Sequence, residues 1–163
     1  MVRSKLDRTD LKILAEIQRD GRISMVELAR RVHLTKTPCA ERLKRMEQDG
    51  VIEGYFARIS PKAVGAGHVV MVQVQLRGTT APELDAFNAA VRRVPQIQSC
   101  HMIAGGYDYL LKVRSRDIED YRLSLGDTIS KLPGVQQTHT YVVMETVKDA
   151  PTVVIDASAH QAE

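Results

Sequence analysis

Apolar positions along the chain follow two regimes. Through residue 50 they recur at three- and four-residue intervals, and beyond residue 67 two-residue alternation takes turns with helical spacing. Leu11, Leu14 and Ile17 space out a first helix, for which Asp7 is the expected cap, with Asp10 three residues on and Gly21 at the end. Ser24-Met25-Val26-Glu27 has the form of a capping box and opens a short second helix that buries Leu28 and Val32. Thr35 caps a third helix, Pro38 fits its first turn, where a missing N–H breaks no intrahelical bond, and Gly50 marks its end. Three short helices with tight joints make the helix-turn-helix plan. Residues 51–59 are β-rich, are broken by Gly54, and read as a wing or a single strand leaving this head. Ser60-Pro61, Gly65 and Gly67 then form a linker, which ends the first domain near residue 62.

Residues 68–77 alternate as a half-buried strand does. Thr80-Ala81-Pro82-Glu83 is another capping box, and Leu84, Phe87, Val91 and Val94 continue at helical spacing until Pro95. Residues 97–104 and 107–114 are two strands joined at Gly105-Gly106, which has the composition of a two-residue hairpin turn. Ile118, Tyr121, Leu125, Ile129 and Leu132 define a second helix, stopped by Pro133-Gly134, and residues 135–147 a long last strand. The order is β-α-β-β-α-β, so the expected class is α+β: a winged helix-turn-helix head over residues 1–62, then a ferredoxin-like domain over 63–150. Residues 151–163 are expected to be a flexible tail. Both helices cover one face of the sheet, and the Val, Met, Tyr and Leu in its strands point to burial of the other face by a second subunit.

The third helix separates two faces. Cys39, Leu43 and Met46 form a stripe toward the core, while Thr37, Glu41, Lys44, Arg45 and Gln48 lie opposite with Ala40 beside them. Lys36, Thr37, Ala40, Glu41, Arg42, Lys44 and Arg45 of this helix are the candidate DNA contacts. Lys and Arg donate to guanine or phosphate, Glu accepts from cytosine, and Ala or the Thr methyl meets the thymine methyl. Charge agrees with this division. Residues 1–62 hold 14 Lys or Arg against 9 Asp or Glu, and residues 63–163 hold 9 against 11, so the basic part is the part that would meet a polyanion.

Other chemistry finds no constellation. Cys100 and His101 are neighbours in a strand and point to opposite faces, so they make no nucleophile–base pair. The histidines at 33, 68, 101, 139 and 160 have no metal-ligand spacing, and no GxSxG elbow occurs. Catalysis, metal and cofactor are therefore not expected. Cys39 and Cys100 suit reduced thiols, and no apolar run approaches the roughly 18 residues of a membrane helix. A cytoplasmic, nucleoid-associated protein is expected.

Several stretches carry a family resemblance: LDRTDLKIL (6–14), DGRIS (20–24), VELARRV (26–32), LTKTPCAERLKRME (34–47), GVIEGY (50–55), CHMIAGGYDYLLKVR (100–114) and LPGVQQTHTYVVMETVK (132–148). Over essentially residues 5–149 the chain resembles the Lrp/AsnC family of transcription regulators. The resemblance implies a winged helix-turn-helix head, a sensing domain that binds a small effector, usually an amino acid, where sensing domains meet, and dimers that assemble into rings, commonly octamers. It places the effector positions at Met102, Gly105, Gly106, Tyr107, Asp108, Ile118, Tyr141, Val142 and Val143. The close relatives carry an acidic residue where this chain has Gly106. Paired glycines let a ligand approach backbone N–H groups, and Asp108 can pair with an α-ammonium group. The partners implied are double-stranded DNA, further copies of the chain and an amino acid. The alternative is an architectural DNA-compacting oligomer with little ligand response.

Overall fold

The computed structural model describes residues 6–156, except the side chains of Ser124 and Leu125. The chain divides into two compact units, one formed by the residues up to Arg58 with those from Asp149 onward, the other by Ile59–Lys148. The first break lies a few residues before the anticipated linker. Lys62–Val64 forms a 3-10 turn, and Arg114 donates to the carbonyl of Ala66 (3.2 Å), tying these residues to the second unit.

In the head, α1 (Arg8–Arg19) opens with a reciprocal capping box. Asp7 accepts from the N–H of Asp10 (2.8 Å), and Asp10 accepts from the N–H of Asp7 (3.1 Å). At α2 (Met25–Arg31) only half of the anticipated box forms. Ser24 accepts from the N–H of Glu27 (3.2 Å), but the Glu27 carboxylate has turned to Arg30 and Arg31. α3 (Lys36–Gln48) begins after Thr35, whose side chain makes no capping bond, and closes at Gly50 with φ 70°. Ile13, Leu28, Ala29, Val32, Cys39 and Met46 form the buried core. The stripe on α1 centres on Ile13, with Leu14 and Ile17 packed against the core, and Leu11 lies half-buried outside it.

Two further features of the head differ from expectation. Residues 51–59 form no strand, because within one chain no neighbour offers them a ladder of hydrogen bonds. Ile52 packs on the head core and Tyr55 donates to Glu47 of α3 (2.8 Å), while Phe56 is 88% exposed. In the segment expected to be a flexible tail, the side-chain amide of Gln18 donates to the carbonyl of Val153 (2.7 Å) and accepts from its N–H (3.0 Å), much as a neighbouring strand would. Residues 157–163 of that segment lie outside the described residues.

The second unit has four antiparallel strands in the order β2-β3-β1-β4: β1 (His68–Leu76), β2 (Ile97–Met102), β3 (Tyr109–Ser115) and β4 (Val135–Val142). This is the ferredoxin-like arrangement. α4 (Ala81–Val91) starts where the Glu83 carboxylate accepts from both the N–H and the hydroxyl of Thr80 (3.0 and 2.7 Å). The second helix runs from α5 (Ile118–Asp120) through a π-turn at Tyr121–Leu125 into α6 (Gly126–Ser130). Val70, Val72, Val74 and Leu76 of β1 and Tyr109, Leu111 and Val113 of β3 pack under Phe87, Val91, Tyr121, Ile129 and Leu132. Of the anticipated stripe, Ile118 is exposed at the helix start, and the Leu125 side chain lies outside the described residues.

β4 stops well short of residue 147. Its last rung is the N–H of Val143 to the carbonyl of Val69 (3.0 Å), next to the first residue of β1, so Met144 onward has no strand left to pair with. The hairpin is also looser than its glycine pair suggests. Met102 pairs with Tyr109 and the N–H of Ile103 reaches the carbonyl of Asp108 (2.8 Å), leaving a four-residue loop, 104–107. Neither Gly105 nor Gly106 has the positive φ that a two-residue hairpin turn demands.

The turn between α2 and α3 passes through His33 at φ 58°, while Leu34 N–H bonds to the Ala29 carbonyl (2.9 Å). A side chain in this left-handed conformation costs roughly 1–2 kcal/mol that glycine avoids, partly offset by glycine's greater freedom when unfolded. His33 is exposed, so its removal loses no packing. His33→Gly should therefore stabilise the head by about 1 kcal/mol, read as a higher urea midpoint at unchanged slope. A lower midpoint would contradict this reading of the turn.

Candidate DNA interface and ligand site

The outward face of α3 carries Lys36, Thr37, Glu41, Lys44 and Gln48 exposed to solvent, with Ala40 half-buried among them. Two other anticipated contacts, Arg42 and Arg45, also pair with acids of the neighbouring helix start. Arg42 donates to Asp10 Oδ1 (2.9 Å) and also pairs with Asp7, and Arg45 donates to Asp10 Oδ2 (2.6 Å). Asp10 itself is fully buried. These arginines join α3 to the first turn of α1, and their charge is matched where they stand. Sequence spacing gives no sign of this, because the partners are 32 and 35 residues apart.

Burial works against ionisation of Asp7, but the Asp10 amide and the Arg42 guanidinium outweigh it and hold the carboxyl below its usual value. Arg42 is pushed up in turn by Asp7 and Asp10. On α2, Glu27 is held down to about 2 by the guanidinium groups of Arg30 and Arg31. Among the described residues no group of His, Cys, Asp and Glu side chains could hold a metal ion, and no helix is long and apolar enough to cross a membrane.

The nine positions that the resemblance implies for an effector fall into two groups at opposite ends of β1. Met102, Gly105, Gly106, Tyr107 and Asp108 lie at one end, where Asp108 Oδ2 accepts from the N–H of Leu76 (2.7 Å) and the Asp108 N–H donates to the Val74 carbonyl (3.0 Å). Tyr141, Val142 and Val143 lie at the other, opposite Met71, Val70 and Val69. Ile118 belongs with this second group, just beyond the end of β3, where Ser115 pairs with His68. The six residue steps along β1 from Val70 to Leu76 set these two ends roughly 20 Å apart. One chain therefore does not bring them together.

The first group borders a cleft of 430 Å³ lined by Thr79, Leu84, Met102, Ile103, Ala104 and Asp108. Thr79, Leu84, Ile103 and Ala104 were not anticipated. The position of Ile103 and Ala104 beside the glycine pair was the available signal, whereas Leu84 arrives only through folding of α4. A Cβ added at Gly106 would meet nothing within 4 Å, and one at Gly105 would meet only the Ile103 side chain in ordinary contact at 3.6 Å. Asp108 is more than a turn neighbour, since one of its carboxylate oxygens already anchors the loop to β1.

A basic three-helix head with an exposed polar recognition face, followed by a ferredoxin-like unit with a cleft at its hairpin, defines a helix-turn-helix regulator with a ligand-binding domain. Comparison with known proteins agrees. Residues 6–53 match the winged helix-turn-helix DNA-binding family, and residues 69–153 match the Lrp/AsnC ligand binding domain. Over 150 residues the chain is 49% identical to the leucine-responsive regulatory protein of Salmonella typhimurium, covering 92% of each chain. It is also 49% identical over 144 residues to the proline dehydrogenase transcriptional activator of Rhizobium radiobacter, covering 88% of this chain and 92% of that one. Among solved structures, a Neisseria meningitidis transcriptional regulator in complex with L-Met superposes with a TM-score of 0.87 at 34% identity, over 93% of this chain and 98% of that one. An AsnC family regulator from Agrobacterium tumefaciens gives 0.87 at 30% identity, over 94% and 99%. The chain belongs to the Lrp/AsnC family of DNA-binding transcriptional regulators.

The Asp7 pairing gives the head an acid dependence of defined sign. A carboxyl whose folded pKa is depressed stabilises the fold above its unfolded value, near 3.8, and that contribution is lost as pH falls through the depressed folded value. Asp7→Asn should lower stability at neutral pH and flatten its decline below pH 3.8, in urea unfolding repeated down the pH series. Parallel declines in the two proteins would contradict the pairing.

Proposed function

We propose that this chain is an amino-acid-responsive transcription regulator whose effector site is completed between copies of itself. The observation that carries this reading is the division of the nine effector positions into two half-sites at opposite ends of β1. A loop from one copy, with Met102, Gly105, Gly106, Tyr107 and Asp108, meets Ile118, Tyr141, Val142 and Val143 of another. Asp108 takes the α-ammonium group, and N–H groups of the open glycine loop take the carboxylate. The apolar lining from Leu84, Met102, Ile103 and Ala104 suits an aliphatic or thioether side chain. Support for that choice comes from the L-Met complex of the Neisseria regulator and from the leucine-responsive name of the Salmonella relative.

Assembly begins at the uncovered face of the sheet. Met71, Leu110 and Tyr141 stand there among Gln73, His101, Lys112 and His139, and a second copy buries them. Dimers formed this way join through the half-sites into a ring, with an octamer as the expected size. On the head, α3 enters the major groove with Lys36, Thr37, Ala40, Glu41 and Lys44 toward bases and phosphates, while Arg42 and Arg45 reach the DNA only from their seats on Asp7 and Asp10. The protein works in the cytoplasm, at the nucleoid, without a cofactor.

Lys44→Ala should weaken binding to a cognate duplex by about 1–3 kcal/mol if a base is read, with the loss confined to sequences carrying that base. An equal loss on all sequences would move Lys44 to the phosphates. Sedimentation of the full chain should give a dimer or larger at micromolar concentration, and a monomer would remove the shared site. A thermal-shift screen of the twenty amino acids should raise the melting temperature with leucine or methionine. Asp108→Asn keeps an oxygen for the Leu76 N–H but loses the charge. It should cut the affinity of the best amino acid while leaving stability near wild type, and unchanged affinity would remove Asp108 from the site.

A further inference from the structure

We infer that Asp10 is a positioning residue for DNA recognition, holding the guanidinium groups of Arg42 and Arg45 in fixed orientations at the flank of α3. The inference rests on the reading that α3 is the helix that meets DNA. The Asp10 side chain is 1% exposed, and its two oxygens accept from Arg42 Nη1 (2.9 Å), Arg45 Nη2 (2.6 Å) and the Asp7 N–H (3.1 Å). Arg45 enters from the outside, with its side chain 44% exposed, and Arg42 is 29% exposed. The carboxylate thus lies inside the head and grips two arginines spaced one turn apart on the recognition helix. Asp7 closes the group from the other side of Arg42, so two acids balance two bases.

Such a cluster is a poor source of stability, because taking ions out of water offsets most of their attraction and apolar side chains would fill the space at least as well. What it supplies is geometry. A guanidinium fork held by one edge has its remaining donors in a set direction, and a fork so held discriminates where a mobile charge does not. Arg45, half-exposed beside Lys44, is placed to offer those donors to a guanine edge or a phosphate. Its net charge is already matched, so it contributes orientation rather than bulk attraction.

This makes the effect of removing Asp10 opposite in sign on two kinds of DNA. Without the carboxylate, Arg45 loses its acidic partner, Arg42 keeps only Asp7, and the head gains positive charge. Attraction to any duplex rises while discrimination falls. A merely structural role would lower both affinities together, in proportion to the protein unfolded.

The test uses the full chain and a duplex that it selects from a randomised pool, compared with a scrambled duplex of the same composition. For Asp10→Asn, folded by circular dichroism, the ratio of selected to scrambled affinity should fall at least tenfold. Affinity for the scrambled duplex should hold or rise, with a salt slope steeper by about 1 for each released arginine that reaches a phosphate. A ratio within twofold of wild type, or equal losses on both duplexes, overturns the inference. If Asp10→Asn does not fold, Arg45→Lys decides: it keeps the charge but not the fork, so the ratio should fall with the salt slope unchanged, and an unchanged ratio overturns the inference. If the wild-type chain selects no sequence at all, the reading of α3 fails, and the inference fails with it.

Discussion

Two arginines of the recognition helix close on one buried carboxylate near the start of α1, and the geometry of the head depends on that closure. The head is small: six buried residues form its core, and α3 contributes only Cys39 and Met46 to them. An apolar seam of that size fixes how far α3 stands from α1 more firmly than how it is rotated. The pairs from Arg42 and Arg45 to Asp10 add two fixed points between the helices. Forming such a pair gains little net stability, whereas removing both arginines would strand the buried Asp10 carboxylate, which is the costly case. The interaction is therefore weak as a source of stability and strict as a constraint.

The sensing unit depends on a different constraint, the one-sidedness of its sheet. Both helices cover the face of Val70, Val72, Val74, Leu111 and Val113, whereas Met71, Leu110 and Tyr141 of the opposite face are not buried. The same four strands carry the two groups of proposed effector positions to opposite ends of β1, because an antiparallel sheet sends its hairpin loop one way and the end of its last strand the other. A fold of this kind does not complete such a site alone. Under the proposed function, the uncovered face and the divided positions call for the same remedy, a second copy, which would make sensing and assembly one event.

Local signals in the sequence were read well, and distant ones were not. The Thr80–Glu83 box, the Asp7 cap, the Gly50 terminator and the alternation of β1 each involve residues within a few positions of one another, and each appears where its chemistry puts it. The stripe on α1 centres on Ile13, with Leu14 and Ile17 beside it and Leu11 outside. The glycine pair at 105–106 resembles a tight turn in composition, yet the register of Met102 with Tyr109 makes the loop longer. The end of β4 depends on where β1 begins, and residues 51–59 have no strand paired with them among the described residues. The double duty of Asp108 and the seating of Arg42 and Arg45 arise from contacts more than thirty residues apart, for which one sequence offers no periodicity to read.

If DNA reading and amino-acid sensing are two faces of one equilibrium, their coupling must be reciprocal. Isothermal titration of the preferred amino acid into the full chain, alone and saturated with its selected duplex, measures that coupling from the ligand side. Duplex binding with and without the amino acid measures it from the DNA side. The account predicts that the amino-acid affinity differs between the two titrations, and by the same factor as the duplex affinity. Equal amino-acid affinity in the presence and absence of DNA would contradict it.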